Sequence, residues 1–287
     1  MEESALCVLN VSKMRKCSGG HWKPFIRNGT TQTGMTGESN LEKVRGYLEA
    51  EASRHGLRCS LGVASFREVH DGLLPVQRAK LREFTGERFD SFMELGSFIS
   101  IAFAYPESAI DAIAVEAGGG FDMDSWGFYS DWYERLNLAL NEASSAIAEN
   151  IRGISIPATM GGIATKIEHV EDYYPLVVSH RVAAELSGMG WRGKNELIVN
   201  PLYSCAFRLA SIITDMSLEG TEPLQDGCGE CRACLDACTF LANKDKLENY
   251  REQCRRYIVS VGLKHEVCGK CIKPCYRECV HRDAFRQ

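Results

Sequence analysis

"CGECRACLDACTF", residues 228–240, sets the organisation of the whole chain. Its four cysteines follow C-x2-C-x2-C-x3-C. Three thiolates at two-residue intervals can wrap three corners of one 4Fe-4S cubane, while the fourth points away toward a second cluster, as in two-cluster ferredoxins. Downstream, "CGKCIKPC" supplies Cys268, Cys271 and Cys275, and Cys254 stands alone in "YREQCRRY". Two cubanes need eight thiolates, and nine cysteines lie between Cys228 and Cys279, so one is spare. Spacing alone allows two allocations. One joins Cys268, Cys271 and Cys275 to Cys238, with Cys228, Cys231 and Cys234 completed by Cys279; the other uses Cys254 and spares Cys279.

Only Cys7, Cys17, Cys59 and Cys205 precede this region, so the 287 residues divide into a cysteine-poor body and a cysteine-dense tail. Thirteen cysteines without a secretory leader point to metal ligation in a reducing compartment rather than to a disulfide framework. With 45% hydrophobic and 25% charged residues, the composition is that of a globular protein and excludes a disordered or fibrous one. No apolar run follows the basic residues of the opening segment, and the longest apolar stretch, "FISIAFAY" from Phe98, is too short to cross a bilayer. The expected location is the cytoplasm, away from membranes. Net charge is -5, yet from Leu241 onward eleven Lys/Arg face six Asp/Glu. Such a basic tail offsets the about two negative charges of an oxidised cluster with four thiolates, and could serve as a docking face for an acidic electron donor.

Residues 1–39 lack periodicity and read as an irregular extension. "SNLEKVRGYLEAEASRHG" predicts a helix capped by Ser39 or Asn40, with Leu41, Val44, Leu48 and Ala52 on one face and Gly56 at its end. "LRCSLGVASF", "GSFISIAFAYPES", "ELIVN" and "FRLASIIT" predict strands. "SDWYERLNLALNEASSAIAENI" predicts a helix from an N-cap at Ser130, burying Leu136, Leu140, Ala143 and Ile147. A further helix is expected from Pro175, closed by Gly188 or Gly190, and "GISIPATMGGIATKI" reads as loop and short strand. Without a regular βαβ rhythm, the body at residues 40–220 is expected to be α+β or mixed α/β. Residues 221–287 form the cysteine-rich domain.

Between the last helix and the strands lies "GMGWRGKN", residues 188–195, with three glycines, a tryptophan and two cations. Such a loop lets a large planar or anionic ligand approach the backbone. Together with "Y-x3-Y-x2-L" at Tyr129 to Leu136, the helix-Gly-strand opening and the cysteine order, it gives most of residues 40–280 a pattern that resembles the epoxyqueuosine reductase family, relatives of the corrinoid-dependent reductive dehalogenases. In that family a solitary cysteine 16 positions after the first comb joins the second cluster, and Cys254 stands 16 after Cys238. The resemblance therefore implies one cluster on Cys228, Cys231, Cys234 and Cys275, a second on Cys238, Cys254, Cys268 and Cys271, and Cys279 as the spare.

The resemblance further implies a nitroreductase-like, corrinoid-binding body with a two-cluster ferredoxin-like domain, cobalamin held near Gly190, Trp191, Gly193, Lys194 and Asn195, and electrons from a ferredoxin or flavodoxin. The family's acid is matched loosely by "VEDYYP", which makes Asp172 the candidate proton donor with Tyr173 and Tyr174 as substitutes. No D-x-H-x-x-G motif occurs, so cobalt is expected to lack a protein histidine; His180 is expected at the surface. The helical-repeat domain that helps the family hold tRNA does not follow the last comb. With the acidic net charge, this makes tRNA a doubtful substrate and favours a small molecule or modified nucleoside. An electron-transfer protein or reductive activator without its own corrinoid is the alternative function, and a flavin the alternative cofactor.

Overall fold

A computed structural model describes residues 14–16, 22–24, 39–113, 122–160, 166, 168, 178–225 and 227–279, the first two segments and residue 279 by backbone alone. The elements run β1 (Met14–Lys16), β2 (Trp22–Pro24), α1 (Asn40–His55), β3 (Cys59–Ser65), α2 (Phe66–Gly72), α3 (Pro75–Thr85), α4 (Phe89–Leu95), β4 (Ser97–Ala104), α5 (Glu107–Asp111), α6 (Met123–Asn150), β5 (Ile154–Ile156), α7 (His180–Leu186), β6 (Trp191–Arg192), β7 (Ile198–Val199), β8 (Phe207–Thr214), α8 (Ala233–Asp236), α9 (Thr239–Ala242), α10 (Tyr250–Val261) and α11 (Ile272–Cys279). The chain is a mixed α/β protein. Its central sheet is antiparallel, in the order β3-β4-β8-β5.

Local chemistry explains the first helix. The Ser39 hydroxyl accepts from the Glu42 amide while the Glu42 carboxylate accepts from the Ser39 amide, and Gly56, at φ 64°, closes the other end. Val44, Leu48 and Ala52 are buried. Every residue of β4, "SFISIAFA", is buried because helices cover both faces of the sheet. Ile99, Ile101 and Phe103 meet Val44, Leu48, Leu136, Ala143 and Ile147 in a core formed with α1 and α6. On the opposite face Phe98 packs with Phe66, Phe89, Phe92 and Ala183, and Ala102 and Ala104 with Ala184 and Met189.

Three expectations change. The long helix starts at Met123, because the Asp122 carboxylate caps the amides of Asp124 and Ser125. Ser130 is thereby an interior, buried residue bonded to the His265 backbone. The next helix begins at His180 rather than Pro175, and residues 175–177 lie outside the described residues. Within the extension, Met14–Lys16 and Trp22–Pro24 pair as antiparallel strands. Helices α2 to α4, between the first two long strands, had no sequence assignment.

The cysteine-rich segment shares the body's core. Val261, Leu263, Val267, Ile272 and Tyr276 join the hydrophobic cluster that contains Ile113 and Tyr129. Gly269 makes this docking close: a Cβ there would sit 2.3 Å from the Ile113 side chain. No helix among the described residues is long and apolar enough to cross a membrane.

Candidate functional site

Cys238 lies between α8 and α9, Cys254 on α10, and Cys268 and Cys271 on the turn before α11. These four thiols act on one another electrostatically. Burial first, and then the proximity of Cys268 and Cys238, pushes the Cys254 thiol up to about 12. Burial raises Cys268 to about 11, opposed by an amide hydrogen bond from Lys270 and reinforced by Cys238. Cys271 is also raised by burial, and then by Cys268, Cys238, Cys254 and Cys234.

Cys228, Cys231 and Cys234 lie on the comb, whose first turn is closed by the Cys231 amide donating to the Cys228 carbonyl at 2.9 Å. Cys234 is on α8, which packs against α11, the helix carrying Cys275. Cys228, Cys234 and Cys275 are buried. Cys234 is also among the thiols that act on Cys271, so the two groups adjoin.

Among the described residues no group of three or more His, Cys, Asp or Glu converges on a single metal ion. A zinc site needs ligands about 2.3 Å from one point. A multi-iron centre instead separates its ligands by irons and sulfides.

The glycine-rich loop carries Trp191 and Arg192 in β6, paired with Ile198 and Val199 in β7. Its side chains run to the comb. The Trp191 Nε1-H donates to the Cys228 sulfur at 3.3 Å, and its ring lies so close to Gly227 that a Cβ there would meet it at 2.6 Å. Lys194 Nζ donates to the carbonyl oxygens of Gly229 at 2.7 Å and Cys231 at 2.8 Å. Asn195, buried, donates to the Cys205 sulfur at 3.4 Å and accepts from the Leu197 amide at 3.2 Å. A Cβ at Gly190 would strike the Val199 carbonyl, and one at Gly193 the Val199 side chain. Trp191 and Lys194 thus brace the comb from the body side.

Asp172, Tyr173 and Tyr174 lie outside the described residues. His180 is buried rather than exposed, because α7 lies on the sheet with this ring directed at β8. Its Nε2-H donates to the Pro157 carbonyl at 2.9 Å and its Nδ1 accepts from the Ser211 hydroxyl at 2.8 Å. Burial lowers its pKa to about 4.

Ser204 was not foreseen. Its hydroxyl donates to the Cys275 sulfur at 3.0 Å from a backbone with φ 54°, and "LYSCAF" carries no signal of either. Arg208 was missed as well. Its guanidinium lies over the Tyr133 ring, 4.4 Å from the centroid, and donates to Asn137 Oδ1 at 2.9 Å and the Thr159 carbonyl at 2.8 Å.

No protein-family model matches the chain. It is 33% identical over 150 residues to the epoxyqueuosine reductase of Listeria monocytogenes, covering 51% of this chain and 36% of that protein. The Bacillus subtilis epoxyqueuosine reductase is 33% identical over 147 residues, covering 50% and 34%. That of Cellulophaga algicola is 26% identical over 241 residues, covering 79% and 72%. The matches to the first two span only about a third of those proteins' length. Among solved structures, an epoxyqueuosine reductase with an epoxyqueuosine-modified tRNA-Tyr stem loop is similar at 20% identity and a TM-score of 0.47, covering 84% of this chain and 68% of that one.

Proposed function

We propose that this chain, a relative of the epoxyqueuosine reductases, is an iron-sulfur reductase whose two 4Fe-4S clusters relay single electrons from a ferredoxin or flavodoxin to the reducing site. The observation that carries the proposal is the packing of α8, which bears Cys234, against α11, which bears Cys275, with Cys228, Cys234 and Cys275 all buried. Those three and Cys231 would hold one cluster, and Cys238, Cys254, Cys268 and Cys271 the other. In this reading residues 40–220 are the nitroreductase-like body and residues 221–287 the ferredoxin-like domain. Trp191 and Lys194 brace the comb, and Asp172, Tyr173 or Tyr174 supplies the proton.

A corrinoid, when bound, would supply the reductive chemistry. Gly190, Trp191, Gly193, Lys194 and Asn195 would lie near it in this reading. The second reading is an electron-transfer protein or reductive activator that docks on a partner corrinoid enzyme.

The expectation that tRNA is a doubtful substrate is at odds with the solved relative described with a modified tRNA stem loop. It also rested on where the chain stops, so epoxyqueuosine in a tRNA stem loop becomes the first substrate to test.

Anaerobic reconstitution with iron and sulfide, followed by cobalamin under reductant, tests the proposal. The expected result is about eight irons per chain, a shifted corrinoid spectrum and conversion of the modified stem loop. Eight irons with no corrinoid binding would establish the second reading. Failure to take up iron would refute both.

A further inference from the structure

We infer that Trp191 and Ser204 set the reduction potential of the cluster on Cys228, Cys231, Cys234 and Cys275, holding it above that of the other cluster; this rests on the two-cluster reading proposed above. The two donors reach different ends of one ligand set. Trp191 Nε1 lies 3.3 Å from the Cys228 sulfur and Ser204 Oγ lies 3.0 Å from the Cys275 sulfur. Trp191 is 5% exposed and Ser204 fully buried, so water does not compete for either bond.

Ser204 is held in place at a cost. A side chain in the left-handed region is strained and persists only where its surroundings over-determine it. Here the Asn200 and Ser204 backbones exchange hydrogen bonds of 2.6 and 2.8 Å. The Asn200 side chain accepts from the Leu202 and Tyr203 amides and donates to the Met189 carbonyl. The turn is thereby locked with its hydroxyl toward Cys275.

The second ligand set differs. Among the described residues no side chain donates a hydrogen bond to Cys238, Cys254, Cys268 or Cys271; the donor to Cys268 is the Lys270 amide. Reduction adds one negative charge to a cluster, so a donor on a ligating sulfur favours the reduced form and raises the potential. Two side-chain donors on one set, against a single backbone amide on the other, make the first cluster the more oxidising. One electron from a protein donor then comes to rest there, with no bond made or broken at Trp191 or Ser204.

The test is a redox titration of the anaerobically reconstituted full chain, followed by electron paramagnetic resonance. Cys254→Ser identifies the second cluster's signal. Trp191→Phe removes the indole donor, and Ser204→Gly removes the hydroxyl while suiting the left-handed backbone, so it should fold even if Trp191→Phe does not. Each should lower the reduced-to-oxidised ratio of the first cluster at a fixed potential by about fivefold, as expected for the loss of one hydrogen bond worth about 1 kcal/mol, and leave the second cluster unmoved. Full iron content with an unshifted first cluster in Ser204→Gly, or an equal shift of both clusters, would overturn the inference and spare the proposed function. No iron uptake in the unaltered chain would overturn both.

Discussion

The ammonium of Lys194 lies 2.8 Å from the carbonyl oxygen of Cys231, so the glycine-rich loop of the body and the first cysteine comb are tied together across 37 positions of sequence.

Lys194→Met should therefore loosen the comb. Losing the charged hydrogen bonds to Gly229 and Cys231 should speed iron loss to a chelator roughly tenfold, as about 1.4 kcal/mol would do. Absorbance of the released iron complex measures it. An unchanged rate would show that the bonds do not steady the cluster loop.

Cys254→Ser should lose about half of the reconstituted iron, since Cys254 interacts with Cys268 and Cys238. Cys279→Ser should keep all of it. The reverse pattern in iron and sulfide assays would restore the simpler ferredoxin pairing.

His180 should make stability depend on pH. Its pKa is about 4 in the fold against 6.5 when free, so between these values the unfolded chain binds the extra proton. Stability from this residue is complete above about pH 6.5 and is lost as the pH falls toward 4. The loss amounts to about 2 kcal/mol between pH 7 and 5. Urea unfolding across that range should show a shallower pH slope for His180→Gln than for the unaltered chain; equal slopes would refute the assignment.

Arg208→Met should destabilise the body by about 2–3 kcal/mol, because it removes the donor to Asn137 Oδ1 and the Thr159 carbonyl. Asn137 Nδ2 is already without a partner among the described residues. A urea midpoint within error of the unaltered chain would place Arg208 outside the stabilising network.

The sequence by itself determined the features whose causes are local. Ser39, Glu42 and Gly56 carry the capping of α1 within a few residues of one another, and the apolar runs of β3, β4 and β8 signal buried strands without any partner being known. The comb spacing likewise identifies thiols able to share a metal centre. Partner choice is different in kind, because the long-range contacts of Cys254 depend on how α10 is turned toward the segment holding Cys268 and Cys271. The tertiary structure sets Cys254 where Cys268 and Cys238 act on it, a relation that spacing does not give. It also decided that His180 is buried, that Trp191 and Lys194 bond to the comb, and that Ser204 reaches Cys275. Each follows from packing between segments far apart in the chain, where burial and hydrogen-bond satisfaction outweigh local preference.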